Sequence, residues 1–249
     1  MKKKIIAGNW KMNGDTASAT EIVEGILDAA NASSHDVVIA PPFVYLSSVA
    51  EKISDSKIRL SAQNLADHES GAFTGEISAK MLSDVGCTYV LVGHSERRQM
   101  YGETNTVVAQ KTALALSNGL TPILCVGETL EERESDQWKD VILAQINAVI
   151  EHCGIEIFQE TIVAYEPVWA IGTGKSASAE IANEVHEFIY YTLTSKSDKI
   201  RPSLKVLYGG SVAADNSAQY MSQTYIDGVL VGGASLKPSV FSEIIRSVE

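Results

Sequence analysis

Three side chains able to move protons or meet an anion stand directly beyond short apolar runs in this 249-residue sequence. Glu166 follows Ile162-Val163-Ala164-Tyr165, and Pro167 biases it away from helical geometry, which suits a carboxylate held at the end of a strand. Such a group can serve as a base, provided it is kept partly out of water; structural pairing with a nearby Lys or Arg is an equally simple expectation from position alone. His94 follows Tyr89-Val90-Leu91-Val92 and a glycine, and precedes Ser95-Glu96-Arg97-Arg98. If a helical turn begins at that point, its positive end disfavours a charged imidazole, leaving a neutral ring that can donate to a substrate oxygen. A histidine that merely satisfies its own hydrogen bonds is the alternative. Lys11 lies just past Ile5 to Gly8, with Asn9 as a polar neighbour, and would offset the charge of an anionic substrate. A solvated surface lysine, or a Schiff-base lysine, would explain the same position.

Two glycine pairs extend the pattern. Gly209-Gly210-Ser211 and Gly232-Gly233 each follow an apolar run, where backbone can approach a ligand closely and aim N–H groups at a phosphate. Beside Glu166, the stretch Pro167-Val168-Trp169-Ala170-Ile171-Gly172-Thr173-Gly174-Lys175 places bulky apolar side chains in a connection, which suits a lid hinged by Pro and Gly that contributes the Gly172 N–H. His35, His68, His152 and His186 show no metal-ligand spacing among themselves or with cysteine, so no metal is expected.

Positioning these groups requires a regular frame. Strand-like runs fall near Ile5–Gly8, Val37–Ala40, Ile58–Ala62, Tyr89–Val92, Pro122–Val126, Ile162–Tyr165, Lys205–Tyr208 and Gly228–Val231. Helical patterns alternate with them near Ala17–Ala30, Val44–Ile53, Ser78–Val85, Thr106–Ser117, Gln137–His152, Ala179–Thr194, Asn216–Ser222 and Ser239–Ser247. The strand runs are continuously apolar, as parallel strands covered on both faces must be. Eight strand–helix units without a linker predict an α/β fold, a single (β/α)8 barrel over residues 1–249, whose ligands bind at the C-terminal strand ends. An open doubly wound sheet is the rival, but no G-x-G-x-x-G follows the first strand.

Composition narrows the partners. With 20 Lys and Arg against 31 Asp and Glu, the net charge of -11 argues against nucleic acid and requires local donors for any anionic substrate. The cysteines, Cys87, Cys125 and Cys153, are odd in number and lack a C-x-x-C pair, which fits a reducing cytoplasm better than a secreted framework. Met1-Lys2-Lys3-Lys4 leads into too short an apolar run for a signal peptide, and no stretch approaches membrane-spanning length.

Taken together, N-W-K-M-N at 9–13, G-H-S-E-R-R at 93–98, A-Y-E-P-V-W-A-I-G-T-G at 164–174, Y-G-G-S-V at 208–212 and D-G-x-L-V-G-G-A-S-L at 227–236 closely resemble the triosephosphate isomerase family in order and spacing. The resemblance implies a cofactor-free exchange of glyceraldehyde 3-phosphate and dihydroxyacetone phosphate through an enediol(ate), serving glycolysis and gluconeogenesis. Glu166 would be the base and neutral His94 the electrophile, with Asn9 and Lys11 at the substrate and Ser95 and Glu96 in support. Gly172, Ser211, Gly232 and Gly233 would bind phosphate under a closing lid. It also implies a homodimer in which the long connection from Gln63 to Ile77, carrying Phe73, Thr74, Gly75 and Glu76, docks into a second copy. One departure is that Ser176-Ala177-Ser178-Ala179-Glu180 lacks the proline many relatives place there. Another phosphate-binding barrel enzyme, such as an aldolase, and a non-catalytic binding barrel are the competing expectations.

Overall fold

Short β-branched and aliphatic runs become eight strands in the computed structural model, which describes residues 3–171 and 177–247. They are β1 (Ile5–Asn9), β2 (Asp36–Ala40), β3 (Arg59–Ala62), β4 (Tyr89–Val92), β5 (Thr121–Val126), β6 (Ile162–Tyr165), β7 (Val206–Tyr208) and β8 (Gly228–Val231). The strands pair in parallel in chain order, and β8 closes onto β1 with Ile5 opposite Gly228 and Gly8 opposite Val231. Closure depends on glycine at that seam: a Cβ on Gly228 would lie 1.9 Å from the Ile5 carbonyl oxygen.

Alternation along each strand divides the core in two. Ile5, Ala7, Leu91, Ile123, Cys125 and Leu207 belong to a cluster filling the barrel, while Ile6, Val90, Leu124 and Val206 pack with the surrounding helices. Both faces exclude water, which is why most of the strands read as apolar runs rather than as alternating ones. Cys125 is fully buried, and burial pushes its thiol well above the ordinary range.

Among the described residues ten α-helices surround the barrel: α1 (Thr16–Ala32), α2 (Leu46–Ile53), α3 (Ala79–Asp84), α4 (Ser95–Met100), α5 (Asn105–Ser117), α6 (Leu130–Glu134), α7 (Trp138–Cys153), α8 (Ala179–Thr194), α9 (Ala214–Met221) and α10 (Pro238–Arg246). All eight expected helices are present, with ends set by local hydrogen bonds. The helical pattern expected from Val44 opens instead as a 3-10 turn, Phe43–Tyr45, that leads into α2. α9 starts two residues before the expected Asn216 because that side chain accepts from the Ala213 N–H at 2.8 Å, inside the first turn. Two short helices exceed the eight units. α4 is the turn anticipated after His94, whereas α6 was not expected; it is closed by Thr129 and Glu132, each side chain accepting a backbone N–H of the other. No helix among the described residues is long and apolar enough to cross a membrane.

Candidate active site

Glu166 is the first residue beyond β6 and is only 2% exposed. Its N–H donates to the Val126 carbonyl at 2.7 Å, continuing the β5–β6 ladder past the end of the strand. Two glycines make room for it. A Cβ on Gly127 would fall 1.8 Å from the Glu166 carbonyl oxygen, and one on Gly209 would fall 2.9 Å from Glu166 Cγ. Gln145 from α7 fixes Gly127 in turn, accepting its N–H at 2.8 Å and donating to its carbonyl at 3.1 Å. The base candidate is therefore clamped from both neighbouring strand ends.

The carboxylate points at the start of α4. Glu166 Oε2 accepts the Ser95 N–H at 2.9 Å, and Oε1 lies 3.1 Å from His94 Nε2. His94, 6% exposed, is the N-cap of α4, and its Nδ1 accepts the Glu96 N–H at 3.2 Å. With Nδ1 occupied as an acceptor, the ring proton belongs on Nε2, so the imidazole is neutral and donates toward Glu166 Oε1. The Glu96 carboxylate also comes within 3.7 Å of Nδ1, but it is beyond hydrogen-bond reach and is engaged by Lys11. Gly93, at φ +69°, turns the chain into this helix, and Arg98 braces the turn: Nε donates to the Gly93 carbonyl at 2.8 Å, Nη2 to that of Cys125 at 3.1 Å, and Nη1 to Asn105 Oδ1 at 2.7 Å.

Lys11 adopts φ +53°, a conformation uncommon outside glycine, held because its N–H donates to Asn9 Oδ1 at 2.9 Å and its carbonyl accepts from Gln63 at 2.8 Å. Its ammonium is paired with Glu96. Asn9, Lys11, His94, Glu166, Ser211, Gly232 and Gly233 all line one cavity of about 280 Å³ at the C-terminal mouth of the barrel. The glycine pairs prove unequal. Gly209 and Gly210 are required by their own neighbours, since a Cβ on Gly210 would lie 2.2 Å from the Tyr208 hydroxyl, whereas Gly233 has nothing within 4 Å of a Cβ and Gly232 only Lys11 Cε at 3.6 Å. The second pair is the open one.

Of the expected lid, Pro167 leads into a 3-10 turn, Val168–Ala170, and Ile171 lines the cavity; Gly172, Thr173, Gly174 and Lys175 lie outside the described residues. Ser211 Oγ donates to the Ala170 carbonyl at 2.9 Å, and Trp169 Nε1 donates to Glu128 Oε1 at 3.0 Å. Glu128 is fully buried, also accepts from the Tyr165 hydroxyl at 3.0 Å, and has one oxygen, Oε2, with no hydrogen bond among the described residues. Burial raises its carboxyl, against the lowering effect of the Trp169 and Tyr165 hydrogen bonds. Gly127 and Glu128 escaped the sequence reading, although they follow β5 at the same rim as the residues singled out. Beyond the C-terminal end of β3, the loop carrying Phe73, Thr74, Gly75 and Glu76 is exposed; Phe73 is 40% exposed and its ring rests 3.9 Å from that of His68. Among the described residues no group of three metal-ligating side chains converges.

The chain matches a family model described as triosephosphate isomerase over residues 4–248. It is 48% identical to the triosephosphate isomerase of Shewanella denitrificans over 248 residues, covering 97% of this chain and 95% of that protein. The triosephosphate isomerase of Colwellia psychrerythraea is also 48% identical, over 252 residues that cover 100% of this chain and 98% of that one.

Proposed function

The chain belongs to the triosephosphate isomerase family of enzymes, and from that membership we propose that it interconverts D-glyceraldehyde 3-phosphate and dihydroxyacetone phosphate through an enediol(ate), without a cofactor. Glu166 takes a proton from the carbon beside the carbonyl, and His94 donates from Nε2 to the carbonyl oxygen as negative charge develops there. Return of the proton to the neighbouring carbon completes the exchange. The observation that carries this reading is the paired geometry of Glu166 and a neutral His94, 3.1 Å apart and facing one cavity. A substrate oxygen must replace Glu166 Oε1 as the acceptor of His94, so binding itself frees the carboxylate to turn toward carbon.

Lys11, Asn9, Ser211 and the N–H groups of Gly232 and Gly233 receive the substrate and its phosphate, with Gly172 and the lid completing the enclosure and Ser95 and Glu96 holding His94 and Lys11 in place. The whole chain acts as one domain in a homodimer joined through the 63–77 loop, in the cytoplasm, within glycolysis and gluconeogenesis. An aldolase reading is disfavoured by Lys11, whose pairing with Glu96 is the opposite of the unpaired, dry amine from which a Schiff base starts. Isomerisation by the purified protein beside a Glu166→Gln variant is the test. Turnover should fall by about 10²- to 10⁴-fold in the variant; no turnover by the folded wild type would sink the function, and turnover surviving in the variant would sink the base.

A further inference from the structure

Among the described residues, Glu166 is the one common to two separate cavities. On one side is the substrate cavity already described; on the other is a second cavity of about 130 Å³ between the rims of β4 and β5 and the start of α7. The second cavity has room for several waters and the polar lining that ordered water needs. Ser95, Gln99, Thr129, Glu132 and Gln145 all border it, and Ser95 is 6% exposed. Gln99 is exposed and Thr129, Glu132 and Val141 are half-buried, so this cavity runs from the surface to Glu166.

Once a triose phosphate fills the front cavity, it covers the side of Glu166 that faces Asn9, Lys11 and His94. The rear side keeps its own path. We propose that the rear cavity is a water-filled proton conduit, through which the proton held on Glu166 during turnover exchanges with solvent while the substrate still occupies the front. This rests on Glu166 being the base. The balance is simple: Glu166 removes D⁺ from the labelled carbon, leaving the enediolate; a water in the rear cavity takes D⁺ from the carboxyl group and another returns H⁺; that H⁺ is delivered to the neighbouring carbon. Without exchange, the original D⁺ is delivered instead.

The experiment follows dihydroxyacetone phosphate, deuterated at the carbon that loses its hydrogen, through isomerisation in ordinary water with immediate trapping of the glyceraldehyde 3-phosphate formed. The fraction of product retaining deuterium is read by mass spectrometry. Val141→Phe narrows the conduit from α7 and Gln99→Trp narrows it at its mouth; neither residue belongs to the substrate cavity. Each is expected to raise the retained fraction about twofold or more while kcat/KM stays within about twofold of wild type. Retention unchanged in both folded variants, with turnover intact, would overturn the conduit and leave the isomerase reading standing. Absence of turnover in the wild type would overturn that reading and the conduit with it.

Discussion

At Gly127 a single methyl group decides whether Glu166 can stay where it is. Its Cβ would sit 1.8 Å from the Glu166 carbonyl oxygen, a backbone atom that cannot move without disturbing the β5–β6 pairing. Gly127→Ala is expected to lower stability by about 1–3 kcal/mol and to reduce kcat along with it, read by urea denaturation and steady-state kinetics. Gly233→Ala supplies the contrast. Nothing lies within 4 Å of that Cβ, so the denaturation midpoint should hold while KM rises, because the methyl group enters the space offered to phosphate. Equal effects from the two substitutions would refute the distinction drawn between the glycine positions. Glu128 makes a pH-dependent prediction. Its carboxyl is raised by burial, so protonation is favoured by the fold; that contribution is complete below the ordinary carboxylate range near about 4.3 and is lost as pH rises through the higher folded value. In Glu128→Gln the amide oxygen keeps both donors and the NH₂ takes the place of the unpaired Oε2. The variant should therefore gain stability relative to wild type as pH rises from about 4.3 through the raised folded value. A difference that stays flat across this range would contradict the assignment. Glu166, His94 and Lys11 were legible in the sequence because each is the polar residue ending an apolar run. Gly127 and Glu128 sit at the same kind of position, yet their importance comes from atoms supplied by the next strand and its loop, contacts that a linear sequence does not display.

Short elements at the rim carry more than their length suggests. α4 has only six residues, too few to hold itself together in isolation, and its orientation depends on Arg98 tying Gly93, Asn105 and Cys125 into one joint. Arg98→Lys keeps the charge but not the planar fork, and the start of α4 should loosen. A misplacement of His94 of this kind is expected to reduce kcat/KM by about 10- to 100-fold with little change in the overall unfolding midpoint. Unchanged kinetics would show that α4 is positioned without Arg98. The eight strands and the longer helices were readable because burial on two faces, or on one stripe, imposes a period on the sequence. Their ends were readable only to within a few residues, since caps such as the Asn216 bond to Ala213 are decided by single side chains. α6 is one polar turn, Leu130-Glu131-Glu132-Arg133-Glu134, and too short to show any period at all.

On the scale of the whole molecule, a net charge of -11 opposes both an anionic substrate and a second copy of the chain. On the proposed reading, local groups overcome it in each case: Lys11 and backbone N–H donors at the cavity, and an aromatic on an exposed loop for assembly. Phe73 leans on His68 and still leaves 40% of its surface to solvent, with Thr74 and Glu76 exposed beside it. Thr74→Arg should convert a dimer to monomers in sedimentation velocity, and a wild type that sediments as a monomer at micromolar concentration would remove the loop from any role in assembly.

The seam between β1 and β8 carries a last consequence. An open sheet presents a row of unpaired backbone donors and acceptors on which a foreign strand can grow, and proteins spend Lys, Pro and bulges to blunt it. Here the ring has neither a first nor a last strand, since Ile5 to Gly8 pair with Gly228 to Val231. Strand-by-strand extension into fibres or a sheet shared between copies is closed to this molecule while the seam holds, and any neighbour must be met through its helices and loops. A side chain at Gly228, whose Cβ would meet the Ile5 carbonyl oxygen, would open that protection.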